Sequence, residues 1–240
     1  EEELRTIGEL TTRYDAVVIE DLAYLCMDFR RELGHPFQAP YQATVARYTD
    51  NYVLMLSGSK IFSYAGQRIA IAAIPEKVYN RFSPELKRRY GIGRLGDSYV
   101  LTFLYAASSG TSHSAQYALA AMFGAAADGK LDFVAETGEY ARRARLVKDI
   151  FLRHGFRIVY DRDLGEEVSD GFFFTIGYGH MTSAGLLEAL LLYGICAISL
   201  TSTGSRQDGI RVCISQMNEA RQFDLLDQRL AAFAAAHKND

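Results

Sequence analysis

The stretch SGSK at residues 57–60, with Gly66 and Arg68 close behind it, sets two hydroxyls, an amine and a guanidinium at the end of an apolar run, YVLML. An amine of this kind can condense with an aldehyde to form a Schiff base. Hydroxyl and guanidinium groups are donors suited to a phosphate. A single ligand that needs both is pyridoxal 5'-phosphate. Its ring nitrogen works as an electron sink only while protonated, which calls for a carboxylate partner. Asp21, off the end of the run AVVI at residues 16–19, is the candidate, and Tyr24 three residues on can reach the ring hydroxyl. A second arginine, Arg211, stands in the strand-like GIRVCIS. There it alternates away from Ile210 and Val212 and shares a face with Cys213 and Ser215.

The elements that must position these groups follow from periodicity. Residues 1–14 place Leu4, Ile7 and Leu10 at helical spacing, with acids in the first turn that favour the helix dipole. The runs AVVI and YVLML are continuous and apolar, as expected of strands buried on both faces, and each ends abruptly in polar residues. A third run, RIAIAAIP, follows at residues 68–75, and SYVLTFLY near residue 100 reads as a further strand. Helix and buried strand in alternation predict an α/β fold with a mostly parallel sheet and flanking helices. In such sheets ligands sit off the carboxyl ends of the strands, where both polar clusters fall. Helices are expected at residues 111–127 and 133–154. Beyond Gly155 come short strands, a helix near residues 183–193, and a closing helix from Asn218 to about His237. That change of texture predicts two domains, residues 1–130 and a smaller α/β domain of residues 131–240.

Composition narrows the classes. The 240 residues are 49% apolar with a formal net charge of -3, so the chain is globular and has no general attraction for nucleic acid or an anionic membrane. No apolar run is long enough to span a bilayer, and with no basic-then-apolar segment at the start no signal peptide is expected. Cys26, Cys196 and Cys213 lack metal spacing and read as reduced, buried thiols, which points to the cytoplasm. The five histidines show no metal-ligand spacing either, so no metal is expected. Tyr178 and His180 follow a strand and are candidates for the substrate's border. Gly91, Gly93 and Gly96 spell GxGxxG, but a charged segment rather than a strand precedes them, so a dinucleotide site is rejected. Singly, Lys60, Asp21, Arg68 and Arg211 each have an ordinary surface reading. Their agreement in type and order is what points to chemistry.

That order resembles the class I/II aminotransferases, fold-type I pyridoxal-phosphate enzymes. The likeness is carried by Asp21-Leu22-Ala23-Tyr24, by Ser57, Ser59, Lys60, Gly66 and Arg68, and by Arg211 in its strand. It implies a lysine Schiff base at Lys60, which also moves the proton at the substrate Cα. It further implies a pyridinium partner in Asp21, a ring-oxygen partner in Tyr24, phosphate ligands in Ser57 and Arg68 with Ser59 supporting, and a carboxylate-binding Arg211. The expected substrates are an amino acid and a 2-oxo acid, and the expected assembly is a homodimer of the full-length protein. β-Lyases, decarboxylases and non-catalytic modules of the same fold remain alternatives. The family's Asn-Pro loop, stacking aromatic and remaining phosphate ligands are not found, so the chain is expected to be the C-terminal portion of a longer protein.

Overall fold

In a computed structural model the chain is described over residues 1–168 and 171–238. It divides into two compact units, one of Glu1–Cys26 and Leu33–Val134, the other of Met27–Glu32 and Ala135–Asp240.

The first unit opens with helix α1 (Glu2–Arg13). Ile7 and Leu10 stay exposed on it. The helix is seated instead by buried Gly8, where a side chain would bring a Cβ to 2.6 Å from that of Tyr48. Strand β1 (Val18–Leu22) pairs in parallel with β2 (Tyr52–Ser57), Val18 opposite Tyr52 and Leu22 opposite Leu56. A single helical turn, α2 (Gly58–Ile61), leaves β2, and β3 (Ala70–Ala73) returns antiparallel with Ser57 opposite Ala70. The sheet order is therefore β1-β2-β3, and only one of its two pairings is the parallel kind expected. The short link from β2 to β3 cannot carry the chain back to the far end of β2, as a parallel crossover requires. Nor are the strands buried on both faces: Ile19 is 70% exposed and Ile71 37%, since no described element covers those faces.

Next come α3 (Glu76–Tyr79), α4 (Pro84–Tyr90) and α5 (Leu95–Ser98), which runs on through a π-helical stretch, Tyr99–Leu104, into α6 (Tyr105–Ser108). The strand expected at SYVLTFLY is thus a helix. Its start is pinned from outside: the Tyr79 hydroxyl donates to Asp97 (2.9 Å), and Ser98 Oγ donates to the Ile92 carbonyl (2.9 Å). Those anchors outweigh the β preference of Tyr, Val, Thr and Phe, which is strongly context-dependent. The three glycines of GxGxxG serve this corner. Gly91 ends α4 in a left-handed conformation, while Gly93 and Gly96 lie against the rings of Phe82 and Tyr79 where no Cβ fits. Helix α7 (His113–Ala127) packs Ala115 and Leu119 on Ile69. Cys26, with Ile61 and Val134, forms a small core, and burial together with Asp132 pushes its thiol up to about 11.

Helix α8 (Phe133–Arg153) leads into the second unit, with β4 (Phe156–Ile158), a hairpin of β5 (Arg162–Asp163) and β6 (Glu166–Glu167), then β7 (Phe173–Tyr178), α9 (Ser183–Leu192), β8 (Ile198–Ser199), β9 (Ile210–Cys213) and α10 (Ala220–Ala236). Its main sheet runs β4-β7-β9-β8 and is antiparallel throughout. Ile176, Ile210, Leu186, Leu190 and Leu230 are fully buried around it. Phe233 gathers the rings: its centroid lies 5.5 Å from Phe156, 5.0 Å from Tyr178 and 5.6 Å from Tyr193, and it stacks on His237 at 4.4 Å. Tyr178 is therefore a core residue, its hydroxyl donating to the His237 carbonyl. Cys196 and Cys213 are exposed, contrary to the expectation of three buried thiols, because they stand where β8 begins and β9 ends. Among the described residues no cluster of metal-ligating side chains is present, and no helix is long and apolar enough to cross a membrane.

Because Phe233 is fully buried against four rings, Phe233→Ala is expected to cost about 3–5 kcal/mol. Denaturant unfolding followed by the tyrosine signal of the second unit measures it.

Candidate functional site

Two adjacent carboxylates in β1 have separate duties because successive side chains in a strand point to opposite faces. Glu20 accepts from Thr44 Oγ1 (2.6 Å) and from the backbone N–H of buried Val45 (3.0 Å), bracing the segment that leads into β2. Asp21, on the other face and opposite Met55, is exposed, and its Oδ1 accepts from the Ala23 N–H (3.0 Å). That bond closes an Asx turn at the strand's carboxyl end. The turn delivers Tyr24.

At the matching end of β2, Ser57 is the N-cap of α2. Its Oγ accepts from the Ser59 N–H (3.1 Å), satisfying one of the orphan donors of a helix start. Gly58 beneath is buried, with Leu119 3.2 Å from where its Cβ would stand, so this turn lies close against α7. Lys60 follows, half-buried, and its Nζ lies 5.6 Å from the centroid of the Tyr24 ring. A cation at that distance from an aromatic face is attracted by the ring quadrupole. The parallel register thus brings together Tyr24 and Lys60 from segments far apart in sequence, with Asp21, Ser57 and Ser59 on the same two strand ends. An amine, a phenol, a carboxylate and two hydroxyls at one place can hold a carbonyl compound and exchange protons with it.

Arg68 has a different setting. It sits in the left-handed region (φ 52°), donates from Nη1 to the Ala65 carbonyl (2.8 Å), and borders a groove of about 840 Å³. Met55, Ile71, Tyr99 and the residues Ser108, Gly110, Thr111 and Ser112 also line that groove. The expected helix at residues 111–127 includes only Thr111 and Ser112 of these residues. Their signal was visible in the hydroxyls flanking Gly110. Gly66 is open, with no atom within 4 Å of where a Cβ would be. Arg211 belongs to the second unit, where it is half-buried in β9 opposite Thr175 and Ile198. Its guanidinium lies 4.5 Å from the Phe173 ring centroid, which fixes the plane of the fork.

The contrast between the two carboxylates is measurable. Glu20→Ala strands the Val45 N–H and the Thr44 hydroxyl and is expected to destabilise the first unit by about 1–3 kcal/mol. Asp21→Ala, which opens only an exposed turn, is expected to cost less than about 1 kcal/mol. Urea midpoints of the two variants give the comparison.

The family described as aminotransferase class I and II matches residues 1–227. No curated protein sequence matches the chain. Among solved structures, a tetra mutant of the Thermus thermophilus aspartate aminotransferase superposes with a TM-score of 0.67 at 15% identity, over 97% of this chain and 55% of that one. Aspartate aminotransferase from Thermotoga maritima gives 0.66 at 15% identity, over 98% and 52%. The aromatic aminotransferase of Pyrococcus horikoshii gives 0.66 at 15% identity, over 99% and 56%. At that identity the likeness is one of fold, and the chain spans about half the length of these structures.

Proposed function

The chain belongs to the class I and II aminotransferase family, and on that footing we propose that it carries the lysine-bearing portion of a pyridoxal-phosphate-dependent aminotransferase acting on an amino acid and a 2-oxo acid. Members of this family generally use pyridoxal phosphate. The observation that carries the reading is the meeting of Lys60 and Tyr24 beyond the carboxyl ends of two parallel strands, 5.6 Å from amine to ring, with Asp21 and the capped Ser57 beside them. This donor set fits the group: an amine for its aldehyde, a carboxylate for its ring nitrogen, a phenol for its ring oxygen and hydroxyls for its phosphate.

When bound, the cofactor supplies an electron sink for charge that develops at the substrate Cα. Lys60 would hold the cofactor through its amine and would serve as the base that takes the proton from the substrate Cα. Such positioned proton transfer contributes about 10²–10⁴ in rate. Asp21 keeps the ring nitrogen protonated, and Tyr24 donates to the ring oxygen. Ser57 and Arg68 hold the phosphate, with Ser59 supporting the loop. Arg211 takes the substrate α-carboxylate in a two-point contact that a lysine could not reproduce. The half-length match and the exposed apolar faces at Ile19 and residues 99–105 support a longer protein whose other residues complete this site, and the family reading extends to a cytoplasmic homodimer.

Titration of the full-length protein with pyridoxal phosphate, borohydride reduction and peptide mapping test the reading. A yellow species whose reduced label maps to Lys60, lost in Lys60→Ala, is expected. A label elsewhere, or none, overturns the assignment. Turnover on amino acids then separates transamination from elimination and decarboxylation. For Arg211→Ala, KM for the amino acid is expected to rise by about 10–100-fold, the loss of one charge-assisted contact, with the cofactor spectrum unchanged. An altered spectrum with unchanged KM moves the carboxylate site elsewhere.

A further inference from the structure

We propose that Cys196 and Cys213 form a redox-active thiol pair, a modification site that a small disulfide oxidises to an intramolecular bond tying the start of β8 to the end of β9. The register carries the argument. Ile198 stands opposite Arg211 and Ser199 opposite Ile210, and the same antiparallel register continued two steps past this pairing would set Cys196 opposite Cys213. Side chains alternate along each strand, so both thiols project on the face that carries Ile198 and Arg211. Extension of the ladder by those two steps would bring their Cα atoms to about 4.5–5.5 Å, within the range of about 4.4–6.8 Å that a disulfide spans.

The local structure favours such a bond. Pairing between β8 and β9 stops at Ile198, and beyond it the two segments border a cavity of about 290 Å³ that reaches Val147 and Phe151. Cys196 and Ala197 line it from one side, Val212 and Cys213 from the other. Both thiols are free and exposed, so an oxidant can reach them. Ser215 Oγ lies 3.2 Å from Cys213 Sγ, where its hydroxyl can donate to the sulfur. The third cysteine is set apart, since Cys26 is buried in the first unit and its thiol is pushed up to about 11 by burial. It serves as an internal control.

The chemistry is thiol–disulfide exchange with a low-molecular-weight disulfide such as oxidised glutathione. One cysteine thiolate attacks a glutathione sulfur, forming a mixed disulfide and releasing one glutathione. The other cysteine thiolate then attacks the protein sulfur of that mixed disulfide and releases the second. The pair loses two protons and two electrons, and the oxidant leaves as two thiols.

The experiment treats the chain with oxidised glutathione, blocks the remaining thiols with a maleimide and digests with trypsin without reduction. Expected is one linked species of peptides 163–206 and 212–221, lighter than their sum by two hydrogen atoms, with Cys26 recovered as a thiol and the link removed by dithiothreitol. Cys196→Ser and Cys213→Ser are each expected to stop at a glutathione adduct on the remaining partner. Backbone exchange at Ala197 and Val212 is expected to slow in the oxidised chain. Separate glutathione adducts on both cysteines of the unaltered chain, or two unreacted thiols, overturn the pairing. A linked species with unchanged exchange overturns the tying of the two strands.

Discussion

The parallel pairing of β1 with β2 is the constraint on which the first unit depends. Side chains along a strand repeat every two residues, so a slip of one residue between these strands would exchange their faces. Glu20 would lose Thr44 and Val45, and Tyr24 would be carried out of reach of Lys60. The register is itself held by short-range devices at both ends. At the entry, the Val18 N–H donates to the Asn51 carbonyl, and the Asn51 side chain donates to the Thr11 carbonyl in α1. At the exit, the Asx turn of Asp21 and the cap of Ser57 stop the two strands at matching heights. The chemistry proposed for the site therefore rests on backbone geometry that two of its own side chains, Asp21 and Ser57, help to fix.

Much of this was legible in the sequence, for identifiable reasons. Abrupt changes from apolar to polar marked the ends of β1 and β2, and the long helices α7, α8 and α10 stood out by composition. Chemistry-bearing residues could be grouped because their types are complementary, and the structure places Tyr24 beside Lys60. What could not be read was anything set by a distant partner. The run at residues 98–105 has strand-forming residues, yet its fold is decided by Tyr79, Ile92 and Asp97. The direction of β3 depends on the length of its link, not on its apolar residues. The exposure of Cys196 and Cys213 follows from where β8 and β9 begin and end, and apolar neighbours in sequence concealed it.

The second unit solves a different problem. Its sheet is small, and β8 is only two residues long, so backbone pairing alone would hold it weakly. The rings around Phe233 and the fully buried aliphatic residues of β7, β9, α9 and α10 provide the rigidity instead. Arg211 thus projects from a strand whose alternate residue, Ile210, is locked in the core. A side chain on such a strand is placed more reproducibly than one on a loop.

The π-helical stretch at Tyr99–Leu104 makes the residue count itself a structural quantity. Each π turn, closed by i→i+5 bonds, holds an extra residue compared with an α turn. Removing one residue there would let the stretch close as an α turn with the helix on either side keeping its facing, whereas the same deletion in a regular α turn would rotate everything after it by about 100°. Ser108 would keep its place on the wall of the groove that Arg68 borders in the first case and leave it in the second. Relatives of this chain that are one residue shorter at positions 99–104 would therefore keep the groove, and those shorter by one within α5 or α6 would reshape it.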